Sequence, residues 1–481
     1  MNQSQKIGFW VLTSLVVGNM VGSGIFMLPG TLAAVASPGG VILAWLFTGL
    51  GVLFVTLVFG NLGKRKPELQ GGPQVYAKEL FKKGSQAATI SGFMATWGYW
   101  IGNLAGNIAI ITTFASYLST FFPVMTSNAE VFTIGSFTMK LGNLLTFTVC
   151  TLMLWVTHFI ILKGIQSAGK LNFAATAAKV IGFAAFIIIG LTAFNSAYMT
   201  PLVEAQITAD GVSNGLLGQI NAAAVATLWA FVGVESAVVF ASKAKKQSDV
   251  KRATVLGLMI AMAIYIGISV LVMGLLPKEQ LIASDKPLID AIITVLGPIG
   301  GQLLAALGLV SLLGSTIGWV MLSAEIPSAA AKQGIFIPRF QKENKNGIPA
   351  FSLLLTNLLG QIFIFSTVSN SISQAFNFVI YIATLSYLVP YLISTAFQMK
   401  LIITGETYED GKSRITDSII GIIAFLYSAY VMIAGTADIK TFLLGMALLA
   451  SGILFYKFVP HHTAIKKNVA DSMDKNDEKA F

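Results

Sequence analysis

GNMVGSGIF, residues 18–26, lies in the middle of an apolar run that extends from about Ile7 to Pro29. The run is long enough for a helix that crosses a membrane, which needs about 20 apolar residues. Three glycines, an asparagine and a serine nevertheless occupy its centre, although each glycine costs a helix interior about 1 kcal/mol relative to alanine. The stretch therefore predicts a spanning helix that is interrupted halfway.

The composition of the whole chain agrees with a membrane location. Of the 481 residues 55% are hydrophobic and 11% are charged, whereas soluble domains carry roughly 25% charged residues. The mean hydropathy is +0.76, which indicates an all-α, polytopic membrane protein. The single cysteine, Cys150, excludes an intrachain disulfide and a cysteine-based metal site. No zinc-protease or nucleotide-binding loop motif occurs, so no metal, cofactor or enzymatic activity is predicted.

Apolar segments repeat from end to end and predict twelve spans in one transmembrane domain, residues 1–463. The first segment is too long for a cleavable signal peptide, so it is kept as a span. The tail, residues 464–481, is polar and predicted to be disordered and cytoplasmic. The predicted spans are 8–35, 39–63, 86–121, 142–163, 166–194, 217–242, 252–277, 290–331, 350–368, 373–399, 416–435 and 439–458.

Lysine and arginine are distributed unequally between the two ends of these spans. With twelve spans, both termini and nearly all basic loop residues fall on one side. The other side carries only Lys140, Lys278, Lys286 and Lys440. Basic residues stay in the cytoplasm, so both termini are predicted to be cytoplasmic. This asymmetry also accounts for the net charge of +10 without a nucleic-acid partner.

Two predicted spans carry a glycine-containing interruption. The first has residues 18–24, and the sixth has Gly-Val-Glu-Ser at 233–236. They are five spans apart, as expected for two inverted five-helix repeats, and such a pair is the best sequence indication of a transporter's binding site. Half-helix N-termini attract a carboxylate and half-helix C-termini attract an ammonium group, which suits an α-amino acid. The alternative is that these glycines only allow close helix packing.

Two charged residues lie within spans. Glu235 is an intramembrane carboxyl and hence a functional candidate for proton, cation or gate chemistry; the alternative is a protonated, purely structural hydrogen-bonding group. Lys179 could replace a coupling cation, or its side chain could extend to the cytoplasmic surface. Trp229 and Trp319 adjoin polar or glycine-rich stretches, where an aromatic face can hold a cation. Asn107 could line a polar path or only join two helices.

Four stretches resemble a known family: GNMVGSGIFMLP, GGPQVYAKELF, TLWAFVGVESAVV and AEIPSAAAKQGIFIPRFQKENKNGIP. They are similar to the amino acid–polyamine–organocation superfamily, and within it to the basic amino acid/polyamine antiporters, above all the arginine/ornithine group. The resemblance covers about residues 6–460. It implies a 5+5 inverted repeat with two additional helices, often assembled as a homodimer.

The resemblance also assigns roles to individual residues. Ser23 and Gly24 would hold the substrate carboxylate, carbonyls near Met20, Trp229 and Val232 the α-amino group, and Trp319 with Asn107 the distal cation. Lys179 would take the place of a sodium ion bound by other members. The implied substrate-binding set is Met20, Gly22, Ser23, Gly24, Asn107, Trp229, Val232, Gly233 and Trp319. The implied gate is Tyr99, Trp229, Glu235 and Tyr391.

The function that the resemblance implies, and with which the interrupted spans agree, is alternating-access antiport in a bacterial cytoplasmic membrane. A basic amino acid, arginine first, would be exchanged for ornithine, with lysine, agmatine or another amine as further candidates. Two alternatives remain at this stage. One is a proton-coupled amino acid symporter that uses Glu235, and the other is a membrane receptor or sensor.

Overall fold

The computed structural model describes residues 8–69, 72–135, 137–207, 213–239, 244–368, 372–408, 413–434 and 439–459. The predicted disordered tail, residues 464–481, lies outside these ranges. Helices dominate the described ranges, as expected. They are α1 Phe9–Met20, α2 Ser23–Val35, α3 Pro38–Arg65, α4 Pro73–Glu79, α5 Gln86–Leu118, α6 Leu141–Leu162, α7 Ile165–Gly190, α8 Leu216–Phe231, α9 Ser236–Val239, α10 Gln247–Leu275, α11 Lys278–Ala283, α12 Pro287–Lys332, α13 Ala350–Ile364, α14 Ile372–Thr404, α15 Arg414–Ala434, α16 Ile439–Ala450 and α17 Ile453–Tyr456.

Two short antiparallel hairpins lie between the spans. Strands β1 (Glu130–Ile134) and β2 (Phe137–Lys140) precede α6, and β3 (Gln206–Ile207) pairs with β4 (Ser213–Asn214) before α8. The sequence did not predict these hairpins. They lie in the connections between spans and do not alter the all-α class.

Among the described residues, ten helices are long and apolar enough to cross a membrane, and two shorter apolar helices lie at Ala350–Ile364 and Phe442–Tyr456. These twelve segments correspond to the twelve predicted spans. Their outward faces expose large apolar side chains, for example Leu152, Phe159 and Ile181. Such faces suit contact with lipid, because the hydrocarbon core cannot hydrogen-bond with polar groups.

The first and sixth spans are interrupted, but over fewer residues than the glycine pattern predicts. Helix α1 continues through Gly18 and Asn19 to Met20, and only Val21 and Gly22 separate it from α2. Because Gly18 and Asn19 keep helical hydrogen bonding, the prediction of unwound backbone across 18–24 is too wide. In the sixth span, the turn 232–235 separates α8 from α9.

The great length predicted for the eighth span has a specific cause. Helix α12 contains one residue with non-helical angles, Gly297, at φ 67° and ψ −169°. Pro298 follows it, and a proline removes a helical N–H donor. The element is thus two helices joined at a kink, and the second provides the span.

The packing of the spans repeats with an offset of five. Helix α1 of span one packs on α10 of span seven, and α8 of span six packs on α3 of span two. In the same way α5 packs on α14, and α12 packs on α7.

The interrupted spans also cross each other in opposite directions. The first half, α1, contacts α9, whereas the second half, α2, contacts α8. Antiparallel neighbours pair in this way, so the packing supports two five-helix repeats of opposite orientation.

Candidate functional site

The interruption of the first span leaves the last carbonyls of α1 without helical partners, as at any helix end. Each is capped separately. The Gly18 carbonyl accepts from Lys179 Nζ at 3.1 Å, and the Asn19 carbonyl accepts from Trp319 Nε1 at 2.9 Å. The Met20 carbonyl accepts from the Tyr265 hydroxyl at 2.5 Å. Side chains from the fifth, eighth and seventh spans therefore converge on one helix end.

Lys179 is buried in this convergence, with 4% of its surface exposed. Besides Gly18, its ammonium group donates to the Val21 carbonyl at 2.5 Å and to Ser315 Oγ at 2.7 Å. Its three N–H donors thus meet three oxygens, which is the full capacity of an ammonium group. The alternative in which Lys179 extends to the cytoplasmic surface is wrong, because its ammonium is held at the helix interruption.

Tyr265 connects the two interruptions. Its hydroxyl lies 2.5 Å from both the Met20 carbonyl and the Ala230 carbonyl, although a phenol has one proton to donate. Trp45 stacks on its ring, with centroids 4.9 Å apart and an interplanar angle of 17°. Sequence reasoning missed this residue, because a tyrosine in an apolar span gives no signal of what its hydroxyl contacts.

The N-terminus of α2 faces the opposite side of the same interruption. Gly22 is the N-cap residue and supplies no side-chain cap. The Ser23 hydroxyl is buried and has no hydrogen-bond partner in the described part of the chain. Free N–H groups at a helix start, with a donor hydroxyl beside them, form a site suited to an anion.

A central cavity of about 10 Å³ lies between the two interruptions. Its walls include Met20, Gly22, Ser23, Gly24, Trp229, Val232 and Trp319 from the predicted substrate-binding set, together with Asn19, Ile110 and Ala230. A volume of about 10–15 Å³ holds one water molecule. The site is therefore closed in this conformation, and an amino acid requires the surrounding helices to separate.

Two tryptophans form the aromatic wall of the cavity. The rings of Trp229 and Trp319 lie 5.8 Å apart at 43°, and both pack on Gly106. A Cβ added at Gly106 would lie 2.8 Å from Trp229 and 3.0 Å from Trp319. Glycine at this position in α5 is thus what allows both indoles to enter the centre of the molecule.

Asn107 and Gly233, both predicted to bind substrate, are not among the residues that line the cavity. Asn107 Nδ2 donates to Ser323 Oγ at 3.0 Å, and Ser323 donates to the Trp319 carbonyl at 2.9 Å. The amide oxygen of Asn107 has no partner among the described residues. Asn107 is therefore linked to Trp319 through Ser323, and its amide oxygen remains available as an acceptor.

Three of the four residues predicted to form a gate come together around one carboxyl group, whereas the fourth, Trp229, lines the central cavity. Tyr99 donates to Glu235 Oε1 at 2.7 Å, and Tyr391 donates to Oε2 at 2.6 Å. The backbone N–H of Gly233 also donates to Oε2, at 3.1 Å. Glu235 is completely buried, and it joins the third, sixth and tenth spans.

Gly233 itself has a structural role at the second interruption. Its φ is +102°, a conformation that glycine adopts without strain. An added Cβ would lie 3.0 Å from Asn19 Cβ. The asparagine side chain in turn donates to Ser236 Oγ at 2.7 Å, so the two interrupted spans touch through backbone, amide and hydroxyl. Asn19 was visible in the sequence as a polar residue within an apolar run.

No group of three or more histidine, cysteine, aspartate or glutamate side chains is arranged to hold a metal ion in the described ranges. The lining residues with polar side-chain groups are Asn19 and Ser23, with an amide and a hydroxyl, and Trp229 and Trp319, each with an indole N–H. This donor set suits a small zwitterion better than a metal.

Comparison with known proteins agrees with this geometry. Residues 7–454 match the family described as amino acid permease. A protein of Bacillus subtilis with the provisional name arginine/ornithine antiporter is 48% identical, over 95% of this chain and 98% of the relative. The arginine/ornithine antiporter of Pseudomonas aeruginosa is 35% identical, over 95% of this chain and 92% of its own. That of Latilactobacillus sakei is 31% identical, over 94% and 90% respectively.

Proposed function

Because the chain belongs to the amino acid permease family, within the amino acid–polyamine–organocation superfamily, we propose that it is an arginine antiporter with ornithine as the exchanged product. The names of relatives that align along at least 90% of their length support this assignment. The observation that carries it is the central cavity, where an open helix start and two indoles face each other. The chain is a multi-pass membrane transporter, and no catalytic step is needed for exchange.

The substrate carboxylate binds at the start of α2. The internal repeat supports this placement, because the equivalent interruption already contains a carboxylate: Glu235 accepts from the Gly233 N–H at 3.1 Å. At the first interruption Ser23 and Gly24 offer comparable donors, and the Ser23 hydroxyl lacks a partner among the described residues. A substrate carboxylate would complete the first site as Glu235 completes the second.

The α-ammonium group binds to helix-end carbonyls. Met20, Trp229 and Val232 line the cavity, and the Met20 carbonyl shares the single Tyr265 proton with Ala230. A carbonyl that shares a donor keeps the capacity to accept from an ammonium group.

The distal cation of arginine or ornithine lies over Trp319. An aromatic face attracts a cation by about 0.5–2 kcal/mol, and Asn107 contributes its unused amide oxygen through a small movement past Ser323. This arrangement attracts a cation without a fixed negative charge. Modest affinity suits a carrier that must release its load.

Glu235, Tyr99 and Tyr391 form the cytoplasmic gate, with Trp229 between the gate and the substrate. The four side chains derive from the third, sixth and tenth spans, so separation of these spans breaks the hydrogen bonds to Glu235. Lys179 acts as a permanent substitute for a coupling cation, because its ammonium group already donates to the carbonyl oxygens that such an ion would contact.

The orientation follows from the lysine and arginine asymmetry: both termini are cytoplasmic, in a bacterial cytoplasmic membrane. The proposed transporter unit is residues 1–463. The exposed apolar faces of α15 and α16 are available for lipid or for a second copy in a homodimer. The proposed partners are amino acids and amines, and nucleic acid is not among them.

Counterflow into proteoliposomes tests the exchange. Labelled arginine should enter rapidly when the vesicles contain unlabelled ornithine or arginine, and slowly when they are empty, because only the loaded carrier changes conformation. Vesicles preloaded with citrulline or alanine are the control for substrate class. Rapid uptake into empty vesicles under a pH gradient would instead establish the proton-coupled symporter.

A further inference from the structure

A second cavity, which we call the outer pocket, opens at the lysine-poor face of the molecule. Its volume is about 280 Å³, near the lower end of the range in which proteins bind small molecules. Its walls are the end of α2, the segment from Tyr198 to Gln206, and the junction of α10 with α11. The first, fifth and seventh spans all end at this face. Unlike the central cavity, the outer pocket already has room for an amino acid.

The charges in the outer pocket form an unusual set. The carboxylates of Glu204 and Glu279 line it, and neither has a hydrogen-bond or ion-pair partner within the described part of the chain. Lys278 also lines it, and its ammonium group donates to the side-chain oxygen of Gln206. The pocket therefore offers two negative groups and one positive group, in a wall that includes apolar side chains.

The walls are held in place by a buried amide. Gln219 is completely buried, and its Oε1 accepts from the Ser37 backbone at 2.8 Å and from the Ser37 hydroxyl at 2.7 Å. Its Nε2 donates to the Glu204 carbonyl at 2.6 Å. The segment that carries Glu204 is thus fastened to the start of α3, so the pocket is formed before any ligand binds.

We propose that the outer pocket is a second binding site for a free basic amino acid. The ammonium group and the side-chain cation of the ligand pair with Glu204 and Glu279, and its carboxylate pairs with Lys278. A neutral amino acid would leave one of the two glutamates unpaired, and an amine without a carboxylate would leave Lys278 unpaired. The charge pattern of the pocket is therefore the complement of arginine, ornithine or lysine.

The position of the pocket links it to transport. Helix α2 carries the carboxylate site of the proposed function at its start and the outer pocket at its end. A Cβ at Gly30 would lie 2.9 Å from the Leu281 carbonyl, so α2 and α11 are in close contact between the two sites. The proposal rests on the proposed function for its ligand, and it adds a site that concentrates this ligand on the outer face.

The test is a double variant, Glu204→Gln with Glu279→Gln, in proteoliposomes of known sidedness. The KM for arginine at the outer face should rise about two- to tenfold, the range expected when two exposed ion pairs are lost. The Vmax at saturation and the KM at the inner face should not change, because the central site is intact. The difference should shrink in 0.5 M salt, where exposed charges are screened.

Glu130→Gln is the matched control, since Glu130 is an exposed glutamate of β1 outside the pocket. Equilibrium binding of labelled arginine to the purified chain provides a second measurement, with two sites expected for the wild type and one for the double variant. If the wild type exchanges arginine but the double variant has an unchanged outer KM, the outer pocket is not a binding site. An equal rise of the outer KM with Glu130→Gln would refute the site in the same way. Absence of arginine exchange by the wild type would refute the proposed function instead.

Discussion

At the residue scale, Lys179 is the buried charged side chain whose hydrogen bonds hold the first helix interruption together. Substituting alanine leaves the oxygens of Gly18, Val21 and Ser315 without this donor in a site closed to water. Each buried group without a partner costs about 1–3 kcal/mol. We expect Lys179→Ala to reduce arginine exchange at least tenfold, with no recovery in sodium, because the cavity left behind is shaped by a side chain rather than an ion.

Ser315→Ala is the control for Lys179, because it removes one acceptor and leaves the ammonium group in place. We expect a much smaller loss of exchange. Sodium-dependent recovery of Lys179→Ala would show that an ion site persists there, and full exchange without the lysine would contradict its role. Both results are measured in the same counterflow assay.

Trp319 reports on the class of substrate. Trp319→Leu keeps an apolar side chain but removes the ring that attracts a cation, so arginine and ornithine should lose about 1 kcal/mol or more in binding. Citrulline, which is neutral, should lose less. The substitution also removes the hydrogen bond from the Trp319 indole to the Asn19 carbonyl. Loss of that bond affects the binding of charged and neutral ligands alike.

Trp319→Phe separates these two effects, because phenylalanine keeps an aromatic face and lacks the N–H donor. The measurement is a competition series with arginine, ornithine and citrulline on the wild type and both variants. Equal losses for charged and neutral ligands in Trp319→Leu would mean that the indole only packs.

Tyr265 tests the carbonyls that the proposal assigns to the ammonium group. Tyr265→Phe removes one hydroxyl and leaves the ring stacked on Trp45. The Met20 and Ala230 carbonyls then lose their shared donor, so the geometry of both helix ends is less constrained. We expect a several-fold rise in the KM for arginine.

Tyr117→Phe is the matched control for Tyr265. Tyr117 is equally buried, and its hydroxyl makes no hydrogen bond among the described residues, so the KM should be unaffected. A similar rise in both variants would attribute the effect to general loosening of the helix bundle rather than to the carbonyls.

At the scale of elements, one ion pair joins helices from different parts of the bundle. Asp417, near the start of α15, accepts from Arg65 at 2.8 Å, from Asn61 at 3.0 Å and from Tyr408 at 3.0 Å. Arg65 also lies 3.5 Å from the Tyr408 ring centroid. Burial, reinforced by Asp417, raises the pKa of the Tyr408 phenol above its usual range, so its hydroxyl remains a donor at physiological pH.

This network attaches the eleventh span to the end of the second. Asp417→Asn should lower the thermal stability of the purified transporter, because Arg65 keeps a largely buried charge whose partner is gone. Breaking such a pair costs about 3–5 kcal/mol in buried sites. The measurement is the midpoint of thermal unfolding in detergent, with exchange measured separately.

Glu343→Gln is the control for this prediction, since it breaks the exposed pair between Lys332 and Glu343. Exposed pairs contribute about 0–1 kcal/mol, so its melting midpoint should change little. A midpoint unchanged in Asp417→Asn would mean that the network adds nothing to stability.

At the scale of the whole molecule, orientation is open to direct measurement. Cys150 is buried, so a membrane-impermeant maleimide should ignore the native chain and label only an added cysteine. Glu130→Cys should react from outside intact cells, and Lys245→Cys should react only after the cells are opened. The reverse pattern would invert the proposed topology, and labelling of both from outside would contradict the odd number of spans, the fourth to the sixth, between them.

The sequence alone predicted the architecture because the membrane enforces a simple rule. A spanning segment must be apolar and satisfy its own backbone, so length and hydropathy identify it. For the same reason polar or glycine-rich residues inside a span are visible as exceptions. This is how Ser23, Gly24, Glu235 and the two interruptions were found without coordinates.

The sequence also predicted which gate residues belong together, although only by resemblance. Tyr99, Glu235 and Tyr391 are separated by more than a hundred residues in the chain, and no local pattern connects them. Their convergence depends on how the third, sixth and tenth spans pack, which is a property of the folded bundle.

Only the tertiary structure decided which hydrogen-bond partners the buried polar side chains have. Lys179 could have extended to the surface, and Tyr265 and Gln219 carried no signal at all. Each acquired its role from carbonyls or hydroxyls on other spans or loops. Hydropathy indicates how deep in the membrane a residue can lie. The hydrogen-bond partner of a buried side chain depends instead on which neighbouring helix the side chain faces. That neighbour is fixed only when the spans have packed.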